Sequence, residues 1–547
     1  MDPLAPYRRP ADQVMRLARM GSAHPMRLSF LRILLRRVAR ENWKFDRSVW
    51  SVDEKGVGHA VYRAIGPDRT YSLVAFAHDL PDEMRSDRVI ATAWDATFSL
   101  VDGDVSGDDI DRLSRNVPLQ EAGRVTQREL TLSRANRSVR LFASVIDALK
   151  TGQQPSVSEL DDVGYLMRTT AVYGSGKFGA IDYGQVSDRP ELAAPFQAEM
   201  LSVWLIRWFT VDIVNHLAKV RGGNNAVPLD PSLARRLGVG NSTGLGMAPF
   251  LVRHPTLINN WIAAKEEALA LVRSQAHVTI ETLKSFKTAL SAAIQNAQIW
   301  RSSHEIQVTK LRDLRNDLLL LKTHVGDFDI DTPYAWDRLW RWAEDRLTLE
   351  GQEALVSLML EPYGDLIDGL ECCLSTDDDG MRPIDGALTV SSMKKLVERQ
   401  YGWALKYDFN DTNEKALFWY VSEEKLEPRL GRRDTDEGAD YEQPLGIAAL
   451  VQGLWLDLDR YDQAKTLADF LHDMPNHRLM VRRAQAAPSR PYGEVHDNLI
   501  ASNTLPIDLM RCKLAFFGAS RFDPRSDKWV RISLFQDLPY PLELCDA

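Results

Sequence analysis

Residues 237–255, LGVGNSTGLGMAPFLVRHP, set four glycines (Gly238, Gly240, Gly244 and Gly246) around Asn241, Ser242 and Thr243, ahead of an apolar run. Glycine-rich backbone leading into a helix start presents N–H groups along a positive helix dipole, which suits a phosphate or carboxylate. Asn241, Thr243 and Gly244 are the expected anion contacts, Arg253 supplies a cation, and Ser242 is a candidate reactive hydroxyl. A second stretch, MRTTAVYGSGKFGAIDYG (167–184), gathers Tyr173, Ser175, Gly176, Lys177, Asp182 and Tyr183 within eleven residues. Lys177 is suited to a Schiff-base nucleophile, an anion clamp or, once desolvated, a base; Ser175 and Gly176 join the expected anion-binding set. Gly174, Gly176 and Gly179 spell G-x-G-x-x-G. A dinucleotide site would need a strand before that motif and a helix directly after it. The preceding VSELDDVGYLMRT reads as a helix and the following AIDYGQVSDRP does not, so a Rossmann site is not expected.

Between the two stretches, 190–221 reads as one long buried helix that returns the chain so that the glycine loops meet. Its end, NHLAKVRGGNNAVPLD, offers His216 and Asn224, the latter as a further anion contact. Near the C-terminal end, SRPYGEVHDNLIASNT (489–504) places Glu494 two residues before His496, an expected acid/base pair. No metal site is expected: HDMPNH (472–477) is broken by Pro475, and the acidic run at 377–379 has Gly386 where a calcium loop needs a bidentate Glu. Neither a G-x-S-x-G elbow nor an H-E-x-x-H motif occurs.

In its Ser, Met and Pro, GNSTGLGMAP is similar to the mobile Gly/Ser loop of the all-helical fumarase and aspartase lyases, with different spacing and without the Lys and Asn that follow there. That resemblance implies elimination or addition chemistry. The expected function is a cytoplasmic enzyme, a lyase, acting on a small anionic carboxylate or phosphate metabolite. Lys177, Tyr173 or Ser242 would be the reactive group. One alternative is a pyridoxal-phosphate enzyme with Lys177 as the imine; another is a non-catalytic helical assembly protein. No cofactor is assigned.

The elements that must hold these residues follow from composition and periodicity. A chain of 547 residues with a net charge of −9 is long enough for two or three domains and lacks the basic balance of a nucleic-acid protein. Its four cysteines make no disulfide framework; Cys372 and Cys373 are adjacent, and a reducing compartment fits. No apolar run reaches the ~18 residues of a membrane span. Residues 1–48 carry eleven Lys/Arg against four carboxylates and read as a basic helical segment docked on an acidic body. Residues 49–106 alternate as a small antiparallel β meander, with Gly66-Pro67-Asp68 as a hairpin turn. Residues 107–376 read as a bundle of long helices, including one over 120–152, and 377–547 as a mixed, mostly helical domain. Leu311, Leu314, Leu318 and Leu321 form a 3-4-3 seam, and Trp336 and Trp340 share a helix face. The expected fold is therefore mainly α, a long-helix bundle with a small antiparallel meander near the N-terminus and a mixed α/β C-terminal part. Long amphipathic helices suggest a homodimer.

Overall fold

The computed structural model of the chain describes residues 8–81, 93–119, 126–174, 177–178, 188–243, 250–252, 254–302, 305–374, 382–407, 416–421, 428–431, 447–496, 499–501, 506–519, 521–523 and 530–544. Two compact units form: one from Met1–Ala23, Gly244–Lys513 and Ser526–Trp529, the other from His24–Thr243, Leu514–Arg525 and Val530–Ala547.

The second unit is built on a ten-stranded sheet. Its strands are β1 (Lys44–Val52), β2 (Gly58–Ile65), β3 (Thr70–Ala77), β4 (Ala96–Asp102), β5 (Glu129–Arg137), β6 (Tyr165–Gly174), β7 (Lys177–Phe178), β8 (Gly238–Thr243), β12 (Arg521–Asp523) and β13 (Val530–Leu534). They lie in the order β1-β2-β3-β4-β5-β6-β8-β13-β12, with β7 paired to β6. Every pairing is antiparallel except β6 with β8, which run parallel. The turn at Gly66 forms where the sequence places it, between β2 and β3, closed by Gly66 N–H donating to the Arg69 carbonyl at 2.8 Å.

One face of the sheet packs on a long helix. Helix α1 (Phe30–Arg40) turns its apolar stripe, Phe30, Leu31, Ile33, Leu34 and Val38, inward. Helix α2 (Gly107–Asn116) opens with a Ser106 capping box, and α3 (Phe142–Lys150) follows β5. Helix α4 (Gln197–Gly222) is buried all round over Gln197–Thr210, where most of its residues are apolar, and becomes partly exposed toward its end. Phe45 of β1 meets Trp204 of α4 at 5.0 Å, Tyr62 of β2 meets Trp208 at 4.9 Å, and Phe98 of β4 meets Phe209 at 5.4 Å. Against the opposite face, Ile110 and Leu113 of α2 close over Val61, Val74, Phe76, Val101 and Leu132. The unit is thus helix, sheet, helix in three layers.

This corrects the fold expected from sequence. The β structure is not a small antiparallel meander near the N-terminus but a mixed sheet spanning much of the N-terminal half, completed by strands from the far C-terminal end. The single helix expected over 120–152 is instead strand β5 followed by α3. Leu130 and Leu132 stand two apart, the strand period, and non-local pairing with β4 and β6 decides the segment's state.

Helices dominate the other unit: α5 (Pro255–Arg273), α6 (Ile280–Ile299), α7 (Glu305–Gly326), α8 (Ala335–Arg346), α9 (Leu349–Leu360), α10 (Val390–Tyr401), α11 (Ile447–Arg460) and α12 (Arg478–Ala486). A small sheet runs in the order β10 (Pro428–Gly431), β9 (Ala416–Val421), β11 (Leu499–Ala501). Leu311, Leu314, Leu318 and Leu321 of α7 are all buried, so the seam is consumed by the chain's own core. Trp336 and Trp340 of α8 are fully buried core aromatics. Among the described residues no helix is long and apolar enough to cross a membrane.

Candidate functional site

The first glycine-rich stretch is largely strand. Residues 238–243 are β8, held on one side by β13, with Thr243 opposite Val530 and Ser242 opposite Arg531, and on the other by β6. The cradle of N–H groups expected ahead of a helix is therefore a sheet ladder over this span. Two of its glycines have packing reasons. A Cβ on Gly238 would stand 2.2 Å from the Leu534 carbonyl oxygen, and one on Gly240 would stand 2.7 Å from the Tyr165 ring. Neither position tolerates a side chain without displacing its neighbour. Asn241 is buried and donates from Nδ2 to the Thr169 hydroxyl at 3.0 Å, a link across β6 and β8. Gly244 and Arg253 lie outside the described residues.

The second stretch is strand as well. Residues 157–163 are helical, as the sequence suggests, but Gly164 ends that helix at φ 79° and β6 begins at once. Its carbonyl accepts from Gly238 N–H at 2.9 Å and from the Ser533 hydroxyl at 3.0 Å, tying the start of β6 to β8 and β13. Tyr173 pairs with Phe178 and Gly174 with Lys177, so β6 and β7 form a tight hairpin. Ser175 and Gly176, between those strands, lie outside the described residues, as do Asp182 and Tyr183. The strand required before G-x-G-x-x-G is thus present, contrary to expectation. β7 turns back on β6, and residues 179–187, where the motif's helix would have to follow, lie outside the described residues; the next described α-helix is α4, from Gln197.

Together β6, α4 and β8 make a β-α-β crossover, the connection that parallel neighbours require. Tyr165 lies opposite Gly238 and Thr169 opposite Asn241, so both strands run toward the same end. Tyr173, Lys177, Ser242 and Thr243 are all carried toward that end on neighbouring backbones. Asn224 is not. It is exposed on the turn after α4, which begins beside the carboxyl end of β6, where Ser202 Oγ meets Thr131 Oγ1 at 2.6 Å, and runs back toward the start of β8. His216 Nε2 lies 2.8 Å from the Asp53 carbonyl, holding a turn rather than joining a pocket.

In the helical unit, Glu494 and His496 are both buried, 7% and 8% exposed, but no hydrogen bond joins their side chains. Glu494 is gripped bidentately by Arg483, Nε to Oε1 and Nη2 to Oε2 at 2.6 Å each, and its Oε1 also accepts from Tyr401 at 2.9 Å. A carboxylate so occupied is an anchor between α10 and α12 rather than a general base. The His496 ring stacks on Trp403 at 4.6 Å, while its carbonyl accepts from Tyr407 at 2.5 Å and from Arg16 at 2.6 Å. Burial first, and then the Arg16 charge, push the imidazole down to about 4, against the opposing pull of Glu494 and Asp12.

A histidine kept neutral in this way links folding to pH. The unfolded chain takes up the proton near 6.5 and the folded chain only near 4. The stabilisation is therefore complete above about pH 6.5, falls as pH drops from 6.5 toward 4, and levels off below. Replacing the ring by a non-titrating one, His496→Phe, is expected to flatten this fall, worth on the order of 2–3 kcal/mol. Denaturant midpoints measured between pH 7 and 4 read it directly; equal slopes in the two proteins would refute the assignment.

One buried charge group was not legible in the sequence. Arg9 inserts between Glu266 of α5 and Glu353 of α9, with Lys265 and Arg19 alongside. Only a pattern of charged residues at otherwise apolar helix positions could have flagged it. Among the described residues no group of three or more His, Cys, Asp and Glu side chains is placed to hold a metal ion. No known protein family, characterised protein or solved structure matches the chain.

Proposed function

We propose that the chain is an enzyme that binds a small anionic metabolite at the shared carboxyl end of β6 and β8, with Lys177 on the hairpin as the anion contact or base of an elimination. One observation supports the reading: β6 and β8 are parallel neighbours joined by a crossover helix, so both strands run toward the same end of the sheet. The carboxyl ends of parallel strands are where ligands gather in open sheets, because the diverging connections leave a crevice there. The small residues and hydroxyls of both segments suit a carboxylate or phosphate.

The test is calorimetric titration of the full chain with inorganic phosphate and with succinate. Binding of at least one, weakened tenfold or more by Lys177→Ala with an unchanged far-ultraviolet dichroism spectrum, is the expected result. If neither anion binds, or the variant binds as tightly as the parent, the reading fails.

A further inference from the structure

Cys372 and Cys373 are consecutive residues of the short 3-10 helix Asp368–Cys373, and both are exposed. Their sulfurs lie 4.0 Å apart. The turn is anchored at either end by Ile367 and Leu374, 0% and 3% exposed, so the thiols stand on a fixed base. From this geometry we propose that the pair is a binding site for a trivalent, thiophilic metalloid centre, As(III) above all, held by both sulfurs at once.

Two alternatives fit less well. A disulfide requires the sulfurs to close to ~2.05 Å and ordinarily joins Cα atoms ~4.4–6.8 Å apart, whereas adjacent residues hold their Cα atoms at ~3.8 Å. The ring would be strained. One soft atom bonded to both sulfurs at a thiolate–metal length of ~2.3 Å instead spans about 3.3–3.8 Å between them, for bond angles from 90° to tetrahedral. The observed 4.0 Å reaches that range by a small side-chain rotation. A closed tetrahedral zinc site needs four ligands, and among the described residues no third His, Cys, Asp or Glu joins the pair. A monosubstituted arsenical needs only two.

The chemistry is a condensation without redox change. The arsenical, R–As(OH)2, loses both hydroxides; each leaves as water with a proton from one thiol, and two As–S bonds replace two As–O bonds. Cys373 is held toward the thiol form by burial and by Cys372, with the Arg8 charge opposing and Glu267 assisting. That suppresses thiolate reactions such as disulfide exchange but leaves a condensation that carries its own proton acceptor. Cys512 does not compete, since it is fully buried with its thiol pushed up to about 12.

The probe is phenylarsine oxide, which hydrates to the dihydroxide, added to the full chain and followed by native mass spectrometry and peptide mapping. The expected result is one adduct per chain, mapped to the peptide holding both cysteines, resistant to excess monothiol and removed by 2,3-dimercaptopropanol. Cys372→Ser and Cys373→Ser, checked for an unchanged dichroism spectrum, are each expected to lose the monothiol-resistant adduct. An adduct that survives either substitution, maps elsewhere, or yields to monothiol as easily as to dithiol overturns the site. So does ready conversion of the pair to an internal disulfide by glutathione disulfide, at a rate that outcompetes the arsenical.

Discussion

Replacing Arg9 with Ala is expected to destabilise the helical unit by about 3–5 kcal/mol, the usual consequence of removing one partner from a buried ionic group. Arg9 is 2% exposed, and its guanidinium is shared between two carboxylates. Nε and Nη2 reach Glu266 at 2.8 Å each, and Nη1 reaches Glu353 at 2.8 Å. Lys265 completes the group, with Nζ 3.1 Å from Glu353 and 2.8 Å from the Arg19 carbonyl. Without Arg9, two buried carboxylates share one lysine and the half-buried Arg19. Burial alone would raise the Glu353 carboxyl, yet Arg9 and Lys265 hold it down to about 2, below its ordinary 4.5. Its stabilising contribution is therefore full above about pH 4.5 and is lost as pH falls through 2. Urea denaturation at pH 7 measures the Arg9→Ala effect. Arg9→Lys should recover little, because an ammonium cannot present the planar fork that two carboxylates demand. A loss below 1 kcal/mol for Arg9→Ala would show that the group is not buried as described.

Arg207 predicts a loss of similar size in the sheet unit, for a different reason. Its guanidinium has no carboxylate within ion-pair distance among the described residues; it donates to main-chain carbonyls instead. Nε reaches Leu237 at 2.7 Å, Nη1 reaches Leu538 at 2.8 Å, and Nη2 reaches Arg235 at 3.0 Å, with Tyr540 stacked 3.9 Å away. Carbonyl dipoles replace the missing counter-ion, and burial lowers the pKa of the guanidinium. Arg207→Met keeps the apolar stem but orphans these acceptors, at ~1–3 kcal/mol for each that stays buried. The expected result is about 3–5 kcal/mol of lost stability together with faster amide exchange in residues 538–544. Faster exchange in those residues without a drop in midpoint would mean that the tail is merely tethered. Unchanged exchange would mean that the carbonyls find other donors.

Local periodicity made the helices from Pro255 to Gly326 legible, along with the buried character of α4 and the hairpin at Gly66. Each depends on residues within a few turns of one another. The sheet was not legible beyond its first strands, because β6, β8 and β13 acquire their state from partners far away in sequence. The glycines of β8 show the same limit: a glycine kept small by the Tyr165 ring looks, in sequence, like one kept for flexibility. At the candidate site, the residue types were readable but their geometry was not. Glu494 and His496, two apart in sequence, are directed to Arg483 and Trp403 rather than to each other. Periodicity places Arg9 only in a basic segment docked on an acidic body and does not name its two carboxylate partners, because they lie more than 250 residues away.

The pairing of β8 with β13 has a consequence for synthesis on the ribosome. Val239 pairs with Leu534, so the edge of β8 has no partner strand until nearly all of the remaining chain has been made. At ~5–20 residues per second, that wait is roughly 15–60 s. Throughout it, the nascent chain presents an open row of backbone donors and acceptors, the feature that templates misassociation. A ribosome stalled between the codons for Thr243 and Val530 would therefore hold a chain whose first eight strands are complete but unsealed, a substrate for chaperones.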